Sequence, residues 1–180
     1  MGKFKFTSTG IDGLTVVQPT VFGDERGYFM ETYQQAEFAA AGIPTQFLQD
    51  NQSRSCQGVL RGLHFQKKNP QGKLVRVISG EVFDVAVDLR KDSVTFGKWF
   101  GVTLNAENKK QFFVPEGFAH GFAVLSESAE FVYKCTRLYD PSDEGGIIWN
   151  DQTLAIDWHL GDITPVVSEK DKLLGSFANI

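Results

Sequence analysis

The chain has 180 residues, enough for one domain with a sizeable core, and its 42% hydrophobic and 22% charged content is that of an ordinary globular protein. A formal net charge of -4 and a pI near 5.4 argue against a nucleic-acid surface, where a basic stripe is expected, so any anionic ligand has to be gripped by a few local cations. Sixteen phenylalanines favour half-buried sheet surfaces and hence an all-β reading.

The N-terminus, Met-Gly-Lys-Phe-Lys-Phe-Thr-Ser, has no apolar signal region, and no run approaches the roughly 18 apolar residues of a membrane helix. A soluble, cytoplasmic protein with no membrane partner is the expectation. Leu14 to Phe22 reads as a strand, Gly23 to Gly27 as a turn, and Tyr28 to Tyr33 as a further extended run. Gln35 to Ala41 is Ala-rich, stops at Gly42 and is followed by Pro44, which predicts a short helix.

From residue 46 onward the period is mostly two. Leu74–Ile78, Val82–Leu89, Trp99–Leu104, Gln111–Val114 and Glu130–Cys135 are strands by alternation, separated by turn signals at Ser79-Gly80, Lys91-Asp92 and Asn105 to Asn108. Short strands joined by tight turns describe a sandwich or barrel over a single domain, residues 1–180. Pro141 to Gly146 reads as a loop, and Leu154 to Leu160 as a short strand or irregular segment. Cys56 and Cys135 lack a secretory context, so reduced thiols are expected.

Arg61-Gly-Leu-His-Phe-Gln66 sets one of only three histidines beside a cation and a glycine. An imidazole can take a carbon-bound proton near neutral pH, and Arg61 could hold an anionic substrate beside it. A half-buried strand histidine beside a surface arginine would fit the same six residues. Simple alternation places Arg61 and His64 on opposite faces, unless Gly62 marks a bulge.

Lys73 falls in phase with Val75 and Val77, so it points to the cavity mouth if they line the interior, where it could stabilise an enolate. Asp84 lies in an otherwise apolar run and needs a partner if it faces inward; His120 is a candidate, and a solvent-facing Asp84 is the alternative. His120 is in phase with Phe118 and Phe122, and Tyr133 with Phe131 and Cys135, so both are expected to point inward. A metal site wants three or four convergent ligands, and position 66 after His64 is Gln, so no metal is expected. Asp171 by itself reads as part of a solvated charge cluster.

Taken in order, Phe22-Gly-Asp-Glu-Arg-Gly, Gln49-Asp-Asn, Val59-Leu-Arg-Gly-Leu-His-Phe-Gln, Val114-Pro-Glu-Gly-Phe-Ala-His-Gly-Phe, Tyr133-Lys-Cys-Thr, Tyr139-Asp-Pro, Gly146-Ile-Ile-Trp-Asn-Asp and Ser168-Glu-Lys-Asp resemble the dTDP-4-dehydrorhamnose 3,5-epimerase family over nearly the whole chain. The resemblance implies an all-β, cupin-type jelly-roll barrel with a few short helices, a homodimer, and no metal or organic cofactor. It implies a dTDP-linked 4-keto-6-deoxy sugar as substrate, on the route to dTDP-L-rhamnose.

By the same resemblance His64 is the base, Asp171 orients it, Lys73 lies near the keto oxygen and Tyr133 is the acid. Arg26, Glu31, Gln49, Asp50, Asn51, Arg61, His120, Glu144 and Lys170 would contact substrate, and Tyr139 would stack on the thymine. Arg137-Leu138, Gly145 and His159 depart from the family's usual residues, which touches the nucleotide loop and not the base. A single-centre epimerase, a non-catalytic sugar-nucleotide-binding cupin and a metal cupin are the rival readings.

Overall fold

Period-two alternation organises the molecule. The computed structural model describes residues 2–44 and 46–180. Its strands are, in chain order, β1 (Phe4–Ser8), β2 (Thr15–Pro19), β3 (Phe22–Asp24), β4 (Gly27–Phe29), β5 (Gln49–Cys56), β6 (Val59–Gln66), β7 (Lys73–Ser79), β8 (Glu81–Asp88), β9 (Trp99–Asn105), β10 (Gln111–Val114), β11 (Phe118–Val124), β12 (Ser128–Cys135), β13 (Glu144–Gly146) and β14 (Val166–Val167). Among the described residues two short α-helices accompany them, α1 (Gln35–Ala40) and α2 (Glu169–Lys172), with a 3-10 turn at Phe177–Asn179.

One sheet runs β1-β2-β10-β7-β12-β5 and the other β13-β6-β11-β8-β9, with β14 added in parallel to β6. The two sheets face each other as a jelly roll of the cupin type. Along each strand alternate residues enter the space between the sheets: Val75, Val77, Phe112 and Phe131 from the first, Val82, Ala86, Phe118 and Phe122 from the second. Phe122 and Phe131 stack across that space, ring centroids 4.3 Å apart. The intervening residues face outward and are covered too. Leu60, Leu63, Phe83, Val85 and Val87 lie under Ile147, Leu154, Trp158 and Leu160, while Val17, Leu74 and Phe113 lie under Phe38 and Ile43. Strands buried on both faces explain the dense apolar composition of β8 and β11.

Helix α1 forms where its sequence predicts. The Gln34 side chain accepts from the Glu37 amide at 2.7 Å, Phe38 is fully buried, and Gly42 leaves the helix at φ 76°. Three expectations need correction. The strand from Leu14 ends at Pro19, which has no amide proton to continue a ladder, and Phe22–Asp24 instead begins a hairpin with Gly27–Phe29. Of the loop at 141–146, the last three residues are β13, paired with Gln66, Phe65 and His64. The charge cluster near the C-terminus is helix α2, capped by the Ser168 hydroxyl on the Asp171 amide at 3.1 Å. Leu154 to Leu160 is irregular and contributes its apolar side chains to the outer cover.

Candidate active site

The register of β6 against β11 pairs His64 with His120 and Arg61 with Phe122, so three steps on β6 span two on β11 and one extra residue is accommodated. Gly62, at φ 130°, carries this bulge. Arg61 and His64 consequently line one cavity, while Leu63 packs into the outer layer. A β-carbon on Gly62 would stand 2.6 Å from the Gly121 Cα and 3.0 Å from the His120 carbonyl oxygen. Gly62→Ala is therefore expected to destabilise the fold by about 1–3 kcal/mol, the cost of a side chain forced into a sparsely populated backbone region. Thermal unfolding measures it; a midpoint equal to that of the parent protein would show that the bulge tolerates a side chain.

The cavity between the sheets has a volume of about 520 Å³, and a second lobe of about 220 Å³ shares His64, Lys73, Tyr133 and Glu144 with it. On one wall, the His64 Nε2 lies 2.8 Å from the Asp171 Oδ1. Helix α2 brings Asp171 there, and the Gly62 amide donates to its Oδ2 at 3.3 Å. Burial alone would raise the Asp171 carboxyl, but hydrogen bonds from His64, Gly62 and Ser168 outweigh it and hold the group below the ordinary carboxylate range. With Nε2 tied to a carboxylate, Nδ1 is the nitrogen of His64 left to accept a proton.

Asp171→Asn is expected to slow turnover by about 10²-fold, the low end of general-base catalysis, because an amide no longer dictates which ring nitrogen is protonated. The depressed carboxyl adds stability above its unfolded-state pKa, and that increment is lost as pH falls through the folded value. The variant's unfolding midpoint should thus sit below the parent's near neutrality and converge with it in acid. Parent-like turnover would return Asp171 to a purely structural part.

The opposite wall belongs to the other sheet. Tyr133 on β12 projects into the cavity beside Phe131, ring centroids 5.9 Å apart, and burial pushes its phenol above the usual value. Lys73 begins the neighbouring strand and pairs in register with Cys135. Burial pulls its ammonium down, opposed by the charges of Cys135, Asp84 and Glu144. Of the two readings left open for Asp84, the inward one holds: its carboxylate is fully buried, with the His120 Nε2 at 2.9 and 3.1 Å from its two oxygens.

At the mouth, the Glu144 carboxylate accepts from the Tyr139 hydroxyl and from the Lys170 ammonium, the latter at 2.5 Å. Its other oxygen is 4.0 Å from the His64 Nε2. Burial would raise Glu144, but Lys170 and Tyr139 hold it below its ordinary value. Gln49 and Asn51 face the smaller lobe, joined by a 2.9 Å hydrogen bond, and Arg61 reaches the Ser55 hydroxyl at 3.2 Å.

Three expected contact residues lie elsewhere in the chain. Asp50 alternates to the outer face and pairs with Lys134 at 2.6 Å, Arg26 pairs with Asp24 on the exposed hairpin, and Glu31 pairs with Lys3. Gly145 has no room for a side chain against the Phe65 ring, 2.7 Å from its would-be Cβ, and His159 stacks on Phe83 at φ 56°. The sequence reading missed Ser168, although Ser168-Glu-Lys-Asp is a recognisable capping pattern that turns Asp171 inward. Among the described residues, no three His, Cys, Asp or Glu side chains converge as metal ligands.

An imidazole–carboxylate pair and a phenol on facing walls of a jelly-roll cavity, with cations beside them, suit an acid–base enzyme of the cupin fold. The family model described as dTDP-4-dehydrorhamnose 3,5-epimerase matches residues 8–179. The chain belongs to that family. It is 56% identical over 176 residues to the dTDP-4-dehydrorhamnose 3,5-epimerase of Pseudomonas aeruginosa, covering 97% of each chain. The crystal structure of the enzyme of that name from Elizabethkingia anophelis NUHP1 superimposes with a TM-score of 0.95 at 49% identity, over 99% of this chain and 98% of that one. The dTDP-6-deoxy-D-glucose-3,5-epimerase of Legionella pneumophila, in complex with dTDP-4-keto-L-rhamnose, superimposes with a TM-score of 0.94 at 51% identity, over 98% and 94%.

Proposed function

We propose that the chain is an isomerase that inverts carbons 3 and 5 of dTDP-4-dehydro-6-deoxy-D-glucose, giving dTDP-4-dehydro-L-rhamnose in the cytoplasm without metal or organic cofactor. The observation that carries this reading is the His64–Asp171 pair on one wall of the cavity and Tyr133 on the other. Both carbons flank the carbon 4 ketone, which makes their protons acidic. Nδ1 of His64 takes the proton, the electron pair of the C–H bond passes into the enolate, and Tyr133 returns a proton from the opposite face. His64 and Tyr133 then reset through solvent. Lys73 stabilises the enolate oxygen as charge builds on it, an effect strengthened by its burial.

Arg61 and Lys170 are the cations for the diphosphate, Arg61 by paired donation from its planar fork. Tyr139 is half exposed at the mouth, free to stack on the thymine once its hydroxyl leaves Glu144. His120, Gln49 and Asn51 hold the sugar from within. The chain acts as a homodimer, a reading supported by Phe22, Tyr28 and Phe29 exposed together on one hairpin. Arg26 and Glu31 contact substrate only if that association brings them to the partner's cavity. Kinship to relatives named for both carbons supports double inversion.

Proton NMR of the 4-keto sugar nucleotide with the protein in deuterated water tests the whole reading. Loss of both the carbon 3 and the carbon 5 proton signals, with the L-rhamno product appearing, is expected. Exchange at one carbon would leave a single-centre epimerase, and binding without exchange would leave a sugar-nucleotide-binding cupin.

A further inference from the structure

One buried titratable pair in the cavity wall has no task in the proton transfers just described. Asp84 follows the inward phase of β8, between Val82 and Ala86, both buried in the apolar interior. An apolar side chain there would serve the fold at lower cost, since a buried carboxylate loses its hydration and needs a partner to offset it. The partner is His120, whose Nε2 meets both Asp84 oxygens. His120 in turn is the register neighbour of His64 on β6, and both imidazoles line the same cavity. The second sheet therefore presents two adjacent rings, each with Nε2 held by its own carboxylate: His64 by Asp171 and His120 by Asp84.

The proposed reaction needs such a device. One base has to meet two carbons lying on either side of a ketone, so the sugar ring has to be held in two poses. A hydrogen-bonding group on the adjacent strand, with side-chain β-carbons about 4.5–5.5 Å apart in such a pair, sits where it can distinguish those poses.

We propose that Asp84 is a positioning residue that decides whether both centres are inverted: it fixes the His120 proton on Nε2, so that Nδ1 remains an acceptor for a sugar hydroxyl and holds the ring where its second acidic carbon meets His64. The inference rests on the functional reading above. It gives Asp84 a part in how many centres invert, separate from the proton transfer itself.

Asp84→Asn tests it, because the amide can donate to Nε2 and so allow the proton to move to Nδ1, turning an acceptor into a donor, as happens when a triad aspartate becomes asparagine. The readout is the ratio of deuterium uptake at carbons 3 and 5. That ratio is expected to shift by about tenfold, the loss of one hydrogen bond, and His120→Gln should shift it in the same direction. Nitrogen-15 NMR of the Asp84→Asn protein should show the His120 proton moved from Nε2 to Nδ1. Equal slowing at both carbons, or an unchanged ratio in both variants, overturns the proposal. Should Asp84→Asn fail to fold, His120→Gln decides by the same ratio. Parent protein that exchanges neither carbon would instead overturn the functional reading itself.

Discussion

His64→Ala is expected to lower solvent exchange at carbons 3 and 5 together by about 10² to 10⁴-fold, the usual worth of a positioned general base. The residue is partly accessible at the meeting point of the two lobes, and its Nε2 is held by Asp171, which leaves the other ring nitrogen to serve as base. Neither Arg61 nor the Tyr139–Glu144–Lys170 group depends on the imidazole for its place, so dTDP should still bind. Asp171 loses one hydrogen bond and keeps the Gly62 amide and Ser168, so the helix that holds it should persist. Calorimetric titration with dTDP and deuterium uptake by NMR separate the two effects. Exchange at either carbon within a few-fold of the parent protein would move the base to another residue.

Much of this site could be read from strand periodicity. Phase alone points Lys73, His120 and Tyr133 inward, and all three line the cavity. Asp50, to which the sequence reading gave no phase, lies on the outer face, because Gln49 and Asn51 take the inner positions of β5. What periodicity cannot supply is register and long-range contact. The bulge at Gly62 was suggested only by the glycine, yet it is the reason Arg61 and His64 share a face. The partner of His64 lies 107 positions away, and nothing local to either residue joins them. Asp171 looked solvated because charged residues surround it in sequence; the Ser168 cap and the packing of α2 on β6 bury it instead. Asp84 could be narrowed to two readings by phase, and only the cross-strand placement of β11 beside β8 chose between them.

Tyr133→Phe should separate proton removal from proton delivery. The phenol and the imidazole come from different sheets, which is why the proposed reaction has them act on opposite faces of the sugar, and deleting one oxygen leaves the other wall intact. The ring's packing against Phe131 survives the change, and burial that raises the phenol's pKa no longer has a charge-bearing form to disfavour, so folding should be unaffected. Base-side exchange of substrate hydrogen with deuterated water is expected to continue, because His64 can remove and return a proton on its own face. Formation of the inverted product should fall by about 10² to 10⁴-fold, since the enolate has lost its donor on the far face. Following deuterium uptake and product configuration in one NMR time course distinguishes the two rates. If exchange and inversion fell together to the level of His64→Ala, or if neither changed, Tyr133 would not be the distinct acid, and water or another cavity residue would have to supply the proton.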